Sequence, residues 1–247
     1  MKGKKYPPFE WNYLRKLWHF LGSILMVGIF YLWKDWGEGS ILHRIALIAF
    51  VWFLAALLLV IDIIRLYSAK NNQSFQNLPI YGRMMRSIEK DHLNATTYYV
   101  LASAILTTAY VGAWCRASTL VMALLVTGVA DPIAAWARNR IQRWRPGQEQ
   151  FYGVWAFATA SILVMGVMNR ILHAGLSLLC IFLVAVIVAL VEAYSRNWMQ
   201  RLQPLTRRLQ RSLTHPGTRW LIQVYPDDNF VVPLLVAVLL GLLRNVL

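Results

Sequence analysis

Five carboxylates lie within or beside the long apolar segments of this chain, where an ionised side chain is costly. They are Asp62, Asp131, Glu192, Asp227 and Asp228. An ionised acid in the hydrocarbon core of a bilayer costs about 2.5–3.5 kcal/mol even on lenient scales, so such residues usually face a hydrated, protein-lined cavity. Carboxylate oxygens are also the ligands that hard cations prefer. If the topology brings these acids to one membrane face, they outline a single polar site.

The segments that must position these acids have the length and composition of membrane-spanning helices. The chain of 247 residues is 58% hydrophobic, contains 11 Trp and has a mean hydropathy of +0.47. A helix needs about 20 residues to cross a hydrocarbon core. Seven apolar runs predict spans at 17–33, 41–64, 95–114, 118–137, 151–168, 174–194 and 230–247. Because the runs are continuous rather than alternating, they predict helices and not a barrel. We therefore expect one all-α integral membrane domain, 1–247, with about seven transmembrane helices.

The distribution of basic residues predicts the orientation. Of the 25 Lys and Arg residues, 20 fall before span 1 or after spans 2, 4 and 6. Positive residues are retained in the cytoplasm, so the N-terminus is predicted to be cytoplasmic. A bacterial inner membrane is the expected location. This topology places all five acids, together with His19, at the cytoplasmic face. The net charge of +14 then indicates attraction to anionic lipid headgroups and requires no nucleic-acid partner.

The cytoplasmic segment 196–226 has the pattern of a basic amphipathic helix. Apolar residues recur there at spacings of three and four, with arginines between them. This pattern is typical of a helix that lies in the headgroup plane, and Pro204 is expected to bend it. A plain loop rich in retained positive charge is the alternative.

Several cations in the predicted cytoplasmic regions could bind phosphate. Arg15 and Lys16 precede His19 at the start of span 1, where a planar guanidinium and a compact ammonium suit a phosphate group. Two further pairs are Arg86 with Lys90, before span 3, and Arg138 with Arg140, after span 4; both can be phosphate ligands or simple retention charges. Asp62 and Arg65 share a helical face, so a local ion pair and a functional role, in which Arg65 binds the nucleotide, are both open.

The acids late in spans 4 and 6 and at the start of span 7 could bind a cation. Asp131 precedes a proline within an apolar span, which frees a backbone carbonyl beside the carboxylate. Glu192 lies late in span 6, and Asp227, Asp228 and Asn229 open span 7. Two acids and an amide can hold a divalent cation that bridges phosphates. We expect Asp131, Asp227 and Asp228 to bind the metal and Asn229 to contact the nucleotide.

The order of these motifs resembles that of the CTP-dependent polyprenol, dolichol, phytol and diacylglycerol kinases, which are related to phosphatidate cytidylyltransferase. The matching motifs, in chain order, are Arg15-Lys16-x-x-His19, Asp62-x-x-Arg65, Arg86-x-x-Glu89-Lys90, Ala95-Thr96-x-Tyr98, Asp131-Pro132-x-Ala134-Ala135, Glu192 and Asp228-Asn229-x-x-x-Pro233. The resemblance covers roughly the whole chain. It implies transfer of the CTP γ-phosphate to a lipid alcohol with Mg²⁺ or another divalent cation, Asp131 being catalytic and His19, Asp62 or Glu192 the base.

The chain departs from the family pattern just after Asp131. The family usually has a Gly-Arg-x-x-Gly turn, whereas this chain has no glycine between Arg138 and Gln142. Glycines in such a turn let backbone amides approach phosphate. Two alternatives to a kinase therefore stay open: a non-catalytic descendant that binds a lipid phosphate or a protein partner, and a nucleotidyl transferase that releases pyrophosphate. The lipid and the oligomeric state are left undetermined by the sequence.

Overall fold

The structure is a computed structural model that describes residues 12–36, 40–70, 93–212 and 227–244, without the side chains of 34–36, 68–70 and 196–212. Within these ranges the chain is helical and contains no strand. The seven helices are α1 (Tyr13–Trp36), α2 (Ile41–Lys70), α3 (Ala95–Val111), α4 (Ala117–Trp144), α5 (Glu149–Ile171), α6 (Leu178–Ser212) and α7 (Asp228–Leu243). The all-α prediction is confirmed.

Among the described helices, five contain segments long and apolar enough to cross a membrane. These segments are Tyr13–Trp33, Ile41–Tyr67, Ala117–Trp144, Glu149–Ile171 and Leu178–Ser195. Helix α7 is apolar but shorter, and α3 has 17 residues. Many large apolar side chains on the outer surface of the described helices are exposed, as expected where lipid is the solvent. The composition and the structure thus agree on a membrane protein.

Helix α4 is the centre of the bundle. It packs against α1, α5 and α7, while α7 also packs against α3 and α6. The start of α4 is buried almost completely, through apolar residues such as Leu120, Met122 and Leu124. Helix α2 packs chiefly on α3, at the side of the bundle. Side chains that α1, α6 and α7 direct toward α4 are consequently brought together.

A glycine allows α1 to approach α4 closely. A Cβ added to Gly128 would overlap the Ser23 side chain and lie 3.6 Å from the backbone oxygen of His19. Ser23 is buried and donates a hydrogen bond from Oγ to that same oxygen, at 2.9 Å. Small residues permit such contacts between helices in membranes. The contact sets the distance between the basic start of α1 and Asp131, one turn beyond Gly128.

Polar caps fix where α3 and α7 begin. Asn94 accepts a hydrogen bond from the Thr96 amide at 2.9 Å, and Asp227 accepts one from the Asn229 amide at 2.8 Å. Asn and Asp are favoured N-caps because their side-chain oxygens satisfy amides that the helix leaves unpaired. The starts of these two helices therefore lie within two residues of the predicted spans.

Helix α6 extends well beyond the predicted span. Its backbone is helical from Leu178 to Ser212, through Pro204, without a break at the predicted end of the span. The amphipathic segment predicted at 196–226 therefore begins as a continuation of α6. Its side chains and the residues 213–226 lie outside the described part of the chain, so its basic face stays a prediction.

Candidate functional site

Three carboxylates from three helices meet where α4, α6 and α7 approach one another. Asp131 of α4, Glu192 of α6 and Asp228 of α7 each place a carboxylate oxygen within 4.8 Å of the other two. Glu192 is 1% exposed and Asp131 is 7% exposed, whereas Asp228 is half-buried. We call these three residues the carboxylate cluster. The expected convergence of acids is thus found for three of the five.

Lys16 enters the carboxylate cluster from α1. Its Nζ donates to Oδ2 of Asp131 at 2.5 Å, and both side chains are buried. Arg15 and His19 are buried beside it, and His19 interacts electrostatically with Asp131 and Asp228. A buried ion pair survives only when its charges compensate each other closely. The basic motif that was identified in the sequence is therefore part of the same site as Asp131.

Arg138 holds the second acid of the cluster. Its Nη1 donates to Oε1 of Glu192 at 2.9 Å, and its Nη2 donates to the other carboxylate oxygen. Both side chains are almost completely buried. Two parallel N–H···O bonds of this kind fix the orientation of both groups. Arg138 was expected to bind phosphate, but in this structure it positions Glu192.

Gly153 of α5 provides the space that Arg138 needs. A Cβ added to Gly153 would lie 2.6 Å from Cγ and 3.0 Å from Cδ of Arg138. Real Cβ atoms do not approach other carbons so closely, so any side chain at 153 would displace the arginine. The glycine acts here through packing and not through an unusual backbone angle. Nothing in the sequence alone indicates this role.

The Gly153→Ala variant is expected to lose about 1–3 kcal/mol of unfolding free energy, since overpacking at a buried site forces side chains and backbone to shift. The matched control is Gly166→Ala in the same helix, where nothing lies within 4 Å of the added Cβ. Reversible unfolding in mixed micelles measures both variants. Equal stability of the two would contradict the packing role of Gly153.

Asp227 acts as a helix cap in the structure. Its Oδ1 accepts hydrogen bonds from the amide and the side-chain nitrogen of Asn229, and Asn229 Nδ2 also donates to Asp228 at 2.9 Å. Burial raises the pKa of the Asp227 carboxyl well above its usual range, and the neighbouring Asp228 charge adds to this effect. Asp227 is not one of the three acids of the cluster, so of the two predicted ligands at the start of α7 only Asp228 belongs to it.

Asp62 belongs to a separate polar cluster between α2 and α3. It accepts hydrogen bonds from Arg65 Nε at 2.9 Å, from Thr97 Oγ1 at 2.5 Å and from the Asn94 amide at 2.7 Å. Asp62 and Arg65 are buried. The predicted local ion pair is present, and it ties the end of α2 to the start of α3. These contacts account for Asp62 as a structural residue.

Of the other predicted phosphate ligands, Arg140 lies in the described part of the chain and outside the site. Arg140 is exposed on the outer face of α4, with its guanidinium carbon 5.1 Å from the centre of the Trp144 ring. It follows Arg138 by two residues, which is roughly 200° around a helix, and so faces the opposite way. Arg86 and Lys90 lie outside the described residues. The structure therefore brings Arg15, Lys16, Arg138 and Asn229 to the site region, but not Arg140 or Arg65, which pairs with Asp62.

The donor set of the carboxylate cluster suits a small hard cation. Mg²⁺ binds oxygen at about 2.1 Å, so two ligands of one ion lie at most about 4.2 Å apart. Separations of up to 4.8 Å in the carboxylate cluster require adjustments of only tenths of an ångström. Lys16 and Arg138 already neutralise two of the acids, so a cation would share these carboxylates with them. Asp131, Glu192 and Asp228 are the residues that would hold it.

Comparison with known proteins assigns no family to the chain. No family model matches it, and neither a curated protein nor a solved structure does. The resemblance in motif order to the CTP-dependent lipid kinases consequently stays a prediction, which depends on the residues of this chain.

Proposed function

We propose that the chain is a membrane lipid kinase that transfers the γ-phosphate of CTP to a lipid alcohol such as a polyprenol, phytol or diacylglycerol. The observation that carries this proposal is the convergence of Asp131, Glu192 and Asp228, with Lys16 at 2.5 Å from Asp131. Catalysis of phosphoryl transfer consists mostly of positioning the phosphate and neutralising its charge. Acids that bind a cation and a lysine that binds phosphate would meet both requirements. The motif order supports the same assignment.

The residues at the start of α1 and those at the start of α7 have different proposed roles. Lys16 and Arg15 bind phosphate oxygens, and Asn229 is the proposed nucleotide contact. His19 is the proposed base, because the other two candidates, Asp62 and Glu192, are held by arginines. The lipid hydroxyl loses its proton to His19, its oxygen bonds to the γ-phosphorus, and the bond to the β-phosphate oxygen breaks to release CDP. Bound Mg²⁺ supplies neutralisation of the phosphate charges.

The proposed topology has seven spans, in which α3 and α7 cross the membrane in addition to the five long apolar helices. The positive-inside distribution supports a cytoplasmic N-terminus and a site that opens to the cytoplasm. A bacterial inner membrane is the proposed location, and anionic headgroups are proposed partners of the basic cytoplasmic segments. No nucleic-acid partner is proposed.

Transfer of label from γ-labelled CTP to a lipid alcohol tests the activity. Purified full-length protein is incubated with Mg²⁺ and separately with diacylglycerol, a polyprenol or phytol, and the labelled lipid phosphate is separated and counted. We expect transfer to at least one lipid, dependent on Mg²⁺ and with CDP released in equal amount. Release of pyrophosphate with a nucleotide-linked lipid product would instead indicate a nucleotidyl transferase. The kinase proposal fails if no lipid alcohol is labelled.

A non-catalytic binding protein is the second candidate, and one observation favours it. Two of the three clustered acids are already paired, Asp131 with Lys16 and Glu192 with Arg138. A cluster whose acids are held by buried cations can be a structural remnant that binds a lipid phosphate or a partner membrane protein without turnover. The thermal unfolding midpoint of the purified protein distinguishes the two: a rise with Mg²⁺ and CTP together supports the kinase, and no change supports the binding protein.

A further inference from the structure

An open groove of about 500 Å³ runs along the outer surface between α4 and α5. Its walls are largely apolar and include Ile133, Trp136, Trp155 and Leu163. Trp136 and Trp155 are each more than half exposed, at 57% and 56%. Both helices have the length and composition of membrane spans, so the groove faces the lipid phase. Lipid chains are therefore the molecules that surround it.

One end of the groove is polar and basic. Arg140 and Tyr152 line it where α4 and α5 approach their connecting turn. Arg145 donates from Nη1 to the Tyr152 hydroxyl at 3.2 Å, which brings a second guanidinium to this end. Phe151 and Trp144 are exposed beside them. Aromatic residues of this kind concentrate at headgroup depth, so the basic end lies where lipid phosphates lie.

The length of the groove fits one leaflet. Leu163 at the apolar end follows Tyr152 at the basic end by eleven residues of α5, a rise of about 16.5 Å. This is roughly half of a 30 Å hydrocarbon core. An acyl chain that starts at the headgroup level would therefore extend along the groove to the region of the bilayer midplane. The dimensions favour a phospholipid over a ligand that spans both leaflets.

We propose that this groove binds one anionic diacyl phospholipid, with its phosphate at Arg140 and Tyr152 and one acyl chain along the wall of Trp136 and Trp155. The contacts are separate from the carboxylate cluster, because Arg138 faces Glu192 inside the bundle while Arg140 faces outward. The proposal goes beyond the proposed function and holds whether or not the chain transfers phosphate.

Native mass spectrometry of the full-length protein in detergent tests the headgroup contact. The protein is titrated with phosphatidylglycerol or with phosphatidylcholine of the same acyl chains. We expect the first phosphatidylglycerol to bind about fivefold more tightly, the factor that corresponds to roughly 1 kcal/mol per basic residue at a bilayer surface. Arg140→Gln is expected to remove this preference. The matched control is Arg143→Gln, which removes the same charge from an exposed site of α4 outside the groove.

A second pair of variants tests the acyl-chain contact. Ala156→Phe fills the groove and is expected to weaken binding of both lipids, whereas Val167→Phe places the same ring on an exposed part of α5 outside the groove. Thermal midpoints confirm that each variant is folded. The proposal would be overturned if Arg140→Gln and Arg143→Gln weakened the binding of phosphatidylglycerol equally. It would likewise be overturned if the wild type showed no headgroup preference, or if Ala156→Phe left lipid binding unchanged. The proposal would also be overturned if the wild type were a dimer that Ala156→Phe dissociates, because a second copy of the chain would then occupy the groove.

Discussion

The Asp228→Asn variant is expected to transfer phosphate from CTP about 10²–10³ times more slowly than the wild type, the loss typical when one preorganised charge-stabilising group is removed. Asp228 is the least buried of the three clustered acids, so a small isosteric change there leaves the packing of α7 intact. Loss of a charge at a helix N-terminus costs only about 0.3–1 kcal/mol of stability. Initial rates at saturating Mg²⁺ and the unfolding free energy, measured on the same preparation, separate the two effects.

The neighbouring acid offers a matched control for this prediction. Asp227→Asn removes the adjacent carboxylate but keeps the cap, because Asn and Asp are nearly equivalent N-caps. Since Asp227 caps α7 and is not one of the clustered acids, this variant is expected to keep most of the activity. A full rate in Asp228→Asn would exclude Asp228 from the site. Equal losses in the two variants would show that both acids serve the site, as the sequence pattern had predicted for a metal ligand at Asp227.

The sequence predicted an all-helical protein and the convergence of five acids, of which three meet in the structure. Hydropathy predicts where apolar helices lie, and polar caps at Asn94 and Asp227 mark where two of them begin. Because consecutive spans run in opposite directions, the predicted topology places the ends of spans 4 and 6 and the start of span 7 at the same face of the membrane. Asp131, Glu192 and Asp228 do come together in the structure. The level of a residue along the bundle can thus be predicted without knowing how the helices pack.

Position around the bundle could not be predicted in the same way. Asp62 lies late in its apolar run, as Asp131 and Glu192 do in theirs, yet it pairs with Arg65 and Thr97 because α2 packs on α3 at the side of the bundle. Which helices are neighbours depends on non-local packing that hydropathy does not encode. The same holds for Arg138 and Arg140: helical spacing predicts that they face opposite ways, but which of the two faces the bundle interior depends on the rotation of α4 relative to α5 and α6. Pairing partners therefore required the structure.

The unfolding free energy is expected to fall by about 3–5 kcal/mol in Arg138→Gln, the largest effect on stability that the structure predicts. Arg138 and Glu192 are both buried and share two hydrogen bonds, so the variant leaves an uncompensated carboxylate inside the bundle. Arg140→Gln is the matched control, since it removes an exposed arginine from the same helix and is expected to change the unfolding free energy by less than about 0.5 kcal/mol. Reversible unfolding in mixed micelles measures both.

A double-mutant cycle separates the cost of an orphaned charge from the value of the pair. Replacing a buried ion pair with apolar residues of similar size is often neutral or stabilising. The single variants Arg138→Met and Glu192→Leu are therefore each expected to lose stability, and the double variant that combines them is expected to recover most of it. Additive losses would contradict the pairing of these two residues.

The double variant also tests the role of Glu192 in the chemistry. If it folds like the wild type but transfers no phosphate, the carboxylate acts on the reaction; if it keeps full activity, the Arg138–Glu192 pair serves only to hold α4 and α6 together.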